Sequence, residues 1–444
     1  MKNYNEYKPS EIEWIGDIPA EWNTIKLKWL TPIKRGASPR PIDDLKYFDE
    51  NGEFAWVRIA DVTASERYLE QTTERLSELG ASLSVKRYPG DFFVSIAGSV
   101  GKPIITKIKC CIHDGFVWFP ELTINPEYLF YIFQTGLPFI GLGKLGTQLN
   151  LNTETIGNIS IPNLTKENIE CIVKYLNHQT AIIDQLILQE EKLIELLKEK
   201  RQAVINEALT KGLDPNAKMK DSGIKWLGEV PNDWLVRRIG FIADLITGFP
   251  WKSELFDFEE GIKIVRGENV SEGFLRWGDR TRFWKQEVEI DSKYFLNEND
   301  IVIAMDGSKV GKNYVLISSD DLPLLLHQRM CRLRVRESIL PKFISYYIGS
   351  DMFKYYIDIS KTDPMVPHIT QKNIFDFELV IPSFQLQQDI VNYLDEKIDA
   401  IEDLTSKEER QIEKLKEYRK SIIAEAVTGK IDVRDWQPNK QQNN

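Results

Sequence analysis

The sequence predicts an α+β protein of two mixed α/β domains, each followed by a long charged helix. The two helices are expected to pair antiparallel as a coiled coil, with the halves of the chain related by pseudo-two-fold symmetry. Three observations lead there. Residues 172–214 align with 390–432 at a constant offset of 218 without a gap, and 19 of the 43 paired positions are identical. Apolar residues in both stretches step by seven among charges. The repeat also extends through the segments in front of each helix.

The helices come first because neither can bury its stripe alone. The seam reads Leu176, Ile183, Leu197 and Val204 in the first copy and Leu394, Ile401, Leu415 and Ile422 in the second, with Leu186 and Leu404 at a second seam position. Each copy is taken as the other's partner; the alternative is two amphipathic helices lying on separate cores. The same series puts Glu190 and Glu408 at seam positions halfway along each helix. Antiparallel midpoints meet, so these carboxylates are expected to approach each other, a weak spot neutralised by Lys192, Arg410 or a partner's basic residue. Rotation of both into solvent is the other reading.

In front of each helix, Ser10-Glu11-Ile12-Glu13-Trp14-Ile15-Gly16-Asp17-Ile18-Pro19-Ala20-Glu21-Trp22 returns as Ser222-Gly223-Ile224-Lys225-Trp226-Leu227-Gly228-Glu229-Val230-Pro231-Asn232-Asp233-Trp234. Trp14, Trp22, Trp226 and Trp234 are read as packing residues, since both copies keep them. Trp56-Val57-Arg58-Ile59 pairs with Ile264-Val265-Arg266-Gly267. Strands opening at Gly90-Asp91 and Asn299-Asp300 run into Gly98-Ser99-Val100-Gly101-Lys102 and Gly307-Ser308-Lys309-Val310-Gly311-Lys312. Pro126 and Pro341 each start an aromatic-rich helix, and Ile161-Pro162 and Ile381-Pro382 close the units. The expected domains are therefore residues 1–165 and 215–384, with long helices over 166–214 and 385–432 and a polar tail over 433–444. The offset between copies drifts inside the domains, so the framework is duplicated while the loops have diverged.

Composition bounds the function. The 444 residues hold 42% hydrophobic and 28% charged residues, as in an ordinary water-soluble chain. Cys110, Cys111, Cys171 and Cys331 lack metal-ligand spacing and read as reduced, buried thiols of a cytoplasmic protein. The polar start carries no signal peptide, and the nearly uncharged stretch from Tyr128 to Gly146 has a charged counterpart in the second half, which argues against a membrane span. The net charge is −10, and no region is basic overall. Any contact with nucleic acid must use local basic patches or positive charge borrowed from a partner.

These motifs resemble the specificity subunits of type I restriction–modification systems. The marks are the Ser-x-Ile-x-Trp-x-Gly-x-Ile/Val-Pro-x-x-Trp opening, the glycine loop after a strand, the Ile-Pro closure and the Lys-Glu-x-Arg…Glu-Ala-x-Thr helix, each present twice. The first helix is entered through Asn163-Leu164-Thr165-Lys166. The second is entered through Ser383-Phe384-Gln385-Leu386-Gln387-Gln388, nearer the family's glutamine-containing pattern. The resemblance implies a DNA-reading subunit without chemistry of its own, with two target-recognition domains for the halves of a bipartite, asymmetric target. It implies two methyltransferase subunits and two restriction subunits as partners, with S-adenosylmethionine, ATP and Mg on those partners and no cofactor on this chain. A helix of about 37 residues is roughly 55 Å long, and half-sites one turn apart lie about 34–36 Å apart, so the helix pair can act as a ruler. The other readings are a coiled-coil adaptor without DNA specificity and an enzyme acting alone.

Phosphate contacts need Lys and Arg, and base readout needs polar or cationic side chains on loops that reach a groove. The candidates are Lys34, Arg35, Ser38, Arg40, Arg58 and Lys102 in the first domain, and Lys252, Arg266, Arg276, Arg280, Arg282, Lys309 and Lys312 in the second. Arg332, Arg334 and Arg336 alternate along a strand, on a face expected to meet either DNA or water. On the helices, Glu190, Lys198, Arg201, Glu408, Lys416 and Arg419 are the candidates for partner docking. Gly141-Leu142-Gly143-Lys144-Leu145-Gly146 fits G-x-G-x-x-G but follows no strand and has no second copy. The Gly-Lys loops lack the upstream glycine and the Ser/Thr of a P-loop. His113, His178, His327 and His368 look scattered and form no zinc or nucleophile pattern.

Overall fold

A computed structural model describes residues 2–142, 151–285, 290–307, 309–360 and 368–438. The Gly141–Gly146 motif therefore lies mostly outside the described residues. The chain divides into two units, residues 1–190 with 410–444, and residues 191–409. Each unit thus combines one domain with the start of one long helix and the end of the other.

The first long helix spans Lys166–Lys211 and the second Phe384–Thr428. The starts fall at or within one residue of the expected 166 and 385, and both helices end earlier than the expected 214 and 432. At the start, Thr165 and Ser383 hydroxyls accept from the backbone N–H of Asn168 and Leu386, each at 3.4 Å, as N-caps do. At the end, Gly212 and Gly429 take left-handed φ of 75° and 76° and stop the helix.

Within each unit the two helices pack antiparallel. In the first, Arg419 Nε donates to Asp184 Oδ1 at 2.7 Å and Arg419 Nη2 to Oδ2 at 3.2 Å, while Ile172, Leu176 and Ile183 share a core with Ile422, Ala426 and Val427. In the second, Arg201 meets Glu402 at 3.4 Å, and Ile205, Ala208 and Leu209 share a core with Ile390, Leu394 and Ile398. Asp184 and Glu402 are equivalent in the repeat, as are Arg201 and Arg419, so both units close their helix pair with the same acid–base exchange. Such pairs add about 0.2–1 kcal/mol each, so they set register more than stability.

The second seam position differs from the expectation. Leu186 and Leu404 are 39% and 44% exposed, whereas Ile194, Ile398 and Ile412 are buried and Ile187 partly so. Knobs alternate spacings of three and four, and from Ile183 the next seam residue is four on, at 187, rather than three. Glu190 falls in the first unit and Glu408 in the second, and both are half-buried, so neither has rotated fully into solvent.

Each domain joins two sheets of four or five strands, beside two two-stranded pairs. In the first unit the larger sheet runs in the order Lys34–Arg35, Phe116–Trp118, Phe92–Ser95, Pro103–Thr106, Tyr68–Leu69. In the second unit both main sheets have four strands, and the equivalent one runs Ala243–Thr247, Met330–Val335, Ile301–Ala304, Tyr314–Leu316, the same order in equivalent segments. The other sheet keeps one parallel pair, Phe54–Val57 with Cys110–Ile112 at the centre in the first unit and Ile262–Val265 with the edge strand Leu324–Leu326 in the second. β-Branched and aromatic residues put these strands in the core, where six of them are buried throughout. The nearly uncharged stretch begins as a core helix, Pro126–Gln134, started by Pro126 and by the Asn125 side chain accepting from Glu127 N–H. No helix among the described residues is long and apolar enough to cross a membrane.

Two further placements depart from the sequence reading. The alternating arginines do not share one open face. Arg332 is buried, Arg334 forms a two-pronged pair with the buried Asp300 at 2.7 Å on both prongs, and Arg336 lies 3.7 Å from Asp244. The start of the expected polar tail is packed: Val433 is buried, and the Trp436 ring meets Tyr175 at 5.3 Å and His178 at 5.0 Å. The tryptophans are unequal, with Trp22 and Trp234 buried and Trp14 and Trp226 partly so. Of the cysteines, Cys110, Cys111 and Cys331 are buried thiols, raised by burial to about 12, 11 and 12, while Cys171 is half-buried.

Candidate nucleic-acid interface

In each domain the chain passes from one main sheet to the other through one short turn, between Cys110–Ile112 and Phe116–Trp118, and between Leu324–Leu326 and Met330–Val335. The first residue of the turn is His113 in one unit and His327 in the other. A glycine faces each turn. A Cβ on Gly36 would lie 2.1 Å from the His113 carbonyl oxygen, and one on Gly248 would lie 2.0 Å from that of His327. Only glycine allows that approach. An arginine flanks each histidine from the preceding parallel strand. The backbone N–H of Arg58 donates to Asp61 Oδ2 at 2.8 Å, and that of Arg266 donates to Asn269 Oδ1 at 3.2 Å.

Around His113 the structure gathers most of the first domain's candidates. Asp114 organises them: its carbonyl oxygen accepts from Arg35 Nε, and its carboxylate accepts from Ser38 Oγ at 3.1 Å and pairs with Arg40 at 3.2 Å. Arg58 pairs with Glu74 at 2.6 Å and, with Arg35, acts on the His113 ring. Lys34 is exposed beside the Trp118 ring, 6.0 Å from its centroid. Lys102 stands apart, its Nζ donating to the Thr63 carbonyl at 2.8 Å near the end of the short helix that Arg58 caps.

The second domain's candidates form two groups. Arg266 and Arg280 converge on Glu268 at 2.9 and 3.9 Å, and the Arg276 N–H donates to the Asn269 carbonyl. Arg282 stacks on Phe258 at 4.3 Å. Lys252 is exposed beside Trp251, and Lys309 and Lys312 are exposed on the glycine loop. Of the helix candidates, Arg201 and Arg419 are engaged between the helices, and Lys416 pairs with Glu413 at 3.0 Å. Lys198 is exposed. Among the described residues no group of His, Cys, Asp and Glu could hold a metal ion.

Sequence reading missed the histidines and the residues after them. The signal was present, since His113 and His327 both follow a buried strand at an offset of 214, inside the drift of the repeat. Burial holds the His113 imidazole below the ordinary histidine range; Arg58 and Arg35 act the same way and Asp114 opposes them. Burial also lowers His327, with Arg266 and Arg329 in the same direction and the Gln328 carbonyl opposing. Folded histidines of lowered pKa bind protons less readily than unfolded ones. Their contribution to stability is complete above the ordinary histidine pKa and is lost as pH falls through it toward the folded value. The melting temperature is expected to fall between about pH 7 and pH 5. His113→Asn with His327→Asn should flatten that slope, and an unchanged slope would show that other groups carry it.

Comparison with known proteins places this architecture. Residues 231–414 match the family model described as the type I restriction modification DNA specificity domain. The specificity subunit of the MjaVIII type I restriction enzyme from Methanocaldococcus jannaschii is 28% identical over 312 residues, covering 69% of this chain and 71% of that protein. Residues 231–414 thus match the DNA specificity domain of type I restriction–modification systems. The Escherichia coli EcoAI specificity subunit is 30% identical over 230 residues, covering 50% of this chain and 38% of its own length. A solved structure described as the basis of complex assembly and conformational transition of the type I R-M system aligns with a TM-score of 0.72 at 17% identity, covering 93% of this chain and 99% of that one. The crystal structure of an HsdS subunit from Thermoanaerobacter tengcongensis aligns with a TM-score of 0.51, also at 17% identity, over 93% of this chain and 98% of that one. At such identities these structures establish the shared fold.

Proposed function

We propose that this chain is the sequence-specific DNA-recognition subunit of a type I restriction–modification complex, reading a bipartite, asymmetric target. The observation that carries the reading is the duplicated turn. Each domain sets a glycine-packed histidine loop among cationic side chains, on equivalent strands but with different neighbours. Rigid frames with unlike exposed residues suit two readers of unlike half-sites. The chain itself carries no chemistry. Two methyltransferase subunits would dock on the long helices and two restriction subunits would join them, in the cytoplasm, bringing S-adenosylmethionine, ATP and Mg on those partners.

The net charge of −10 makes the isolated chain a poor ligand for a polyanion. Titration of duplex carrying the target is expected to show weak binding by the chain alone and at least 100-fold tighter binding after methyltransferase subunits are added. Tight, salt-insensitive binding by the chain alone would contradict this. Absence of DNA binding in the assembled complex would favour the adaptor reading.

A further inference from the structure

We infer that Gln328 and Arg329 are the base-reading pair of the second domain, contacting adjacent purines in one half of the target. The inference rests on the DNA-reading function proposed above and adds residues that sequence reasoning had not selected.

The two turns share a frame and differ in the two residues after the histidine. The first continues Asp114-Gly115 and the second Gln328-Arg329. In the first, the Gly115 N–H donates to His113 Nδ1 at 2.8 Å, and the ring lies over Gly115 so closely that a Cβ there would sit 2.4 Å from His113 Cε1. A side chain is excluded at that place. The Asp114 carboxylate is occupied by Ser38 and Arg40. In the second unit the imidazole makes a different bond. His327 Nδ1 meets the Gln328 carbonyl at 3.2 Å, and because a carbonyl only accepts, this nitrogen carries the proton. The position equivalent to Gly115 then holds an arginine.

That arginine is strained. Arg329 has φ of 65°, a left-handed conformation that glycine would adopt without cost. The surroundings fix it there: the Met305 N–H donates to its carbonyl at 2.9 Å, and the guanidinium meets Asp306 at 2.8 Å while staying 72% exposed. Gln328 is held in the same way. Its N–H donates to the Phe249 carbonyl at 2.9 Å and its own carbonyl meets His327, yet its side chain is exposed. The chain thus bears backbone strain to present a long cationic side chain beside an exposed amide, on a backbone pinned at three points. Glutamine pairs with adenine N6 and N7, and arginine with guanine O6 and N7, each through two hydrogen bonds. Pinned backbones with exposed ends of these two kinds are what such contacts require.

The test uses the full chain assembled with methyltransferase subunits and a pool of randomised duplex. The wild-type assembly is expected to enrich a bipartite motif; failure at this step would strike the DNA-reading function itself, independently of the residues named here. Gln328→Ala and Arg329→Gly, the latter relieving the backbone strain, are then compared on the enriched site and its single-base variants. The expected result is a drop in discrimination of about 10–100-fold at one or two base pairs, confined to one half-site. The other half-site and the affinity for unrelated duplex should be unchanged, and the melting temperature should not fall. An unchanged motif in both variants would overturn the inference. So would uniform weakening on every sequence with a smaller salt dependence, which marks a phosphate contact. Loss of both halves together with a lowered melting temperature would overturn it as well, by showing a structural role.

Discussion

Trp234→Ala is expected to destabilise the second unit by about 3–5 kcal/mol. Trp234 is 2% exposed and belongs to the core that also holds Ile205, Ala208 and Leu209 from the end of the first long helix. Its ring lies against the glycine that ends that helix, where a Cβ on Gly212 would come within 2.9 Å of Trp234 Cζ2. Tyr347 ties down the same turn by donating to the Leu209 carbonyl at 2.6 Å. Removing the indole therefore opens a cavity under a helix terminus and loosens the joint between helix and domain. Gly212→Ala attacks the joint from the other side. The left-handed backbone costs an alanine about 1–2 kcal/mol, and the ring must also move. The first unit repeats the arrangement with the opposite helix. A Cβ on Gly429 would lie 2.6 Å from both Trp22 Cζ3 and Pro19 Cδ, so Gly429→Ala should cost at least as much as Gly212→Ala. Urea unfolding followed by tryptophan fluorescence measures these changes. A loss under about 1 kcal/mol for Trp234→Ala, the scale of a surface substitution, would mean the joint is not where the helix is anchored.

The second large effect is on the target. One heptad inserted near the middle of each long helix keeps the seam period and adds about 10.5 Å per helix. If the helices set the separation of the half-sites, the altered complex should leave the original target unmethylated. It should modify adenines in a target whose spacer is about 3 base pairs longer, at about 3.4 Å per pair, with both half-site sequences retained. Mapping methylated adenines in DNA from cells carrying the variant reads this directly. An unchanged spacer would remove the helices from any part in measuring distance. Insertion into one helix alone should instead shift the acid–base pairs Asp184–Arg419 and Arg201–Glu402 out of register and lower stability without defining a new target.

The duplication, the two long helices and their antiparallel pairing could be read from residue order, because a seven-residue period and a constant offset are properties of the chain itself. So could the packing role of Trp22 and Trp234 and the local helix starts at Pro126 and Pro341, where the signal lies within a few residues. Folding alone decided the rest. Whether the seam used residue 186 or 187 depended on which side faced the other helix. Arg334 looked like a surface cation until the fold placed Asp300 against it, and Arg40 and Ser38 became neighbours of Asp114 only through strand pairing across many intervening residues. The histidine turns stayed hidden because a backbone approach between Gly36 and His113, or Gly248 and His327, is a contact between distant segments. Periodicity records which face of an element is apolar; it carries no record of which distant polar group that face will meet.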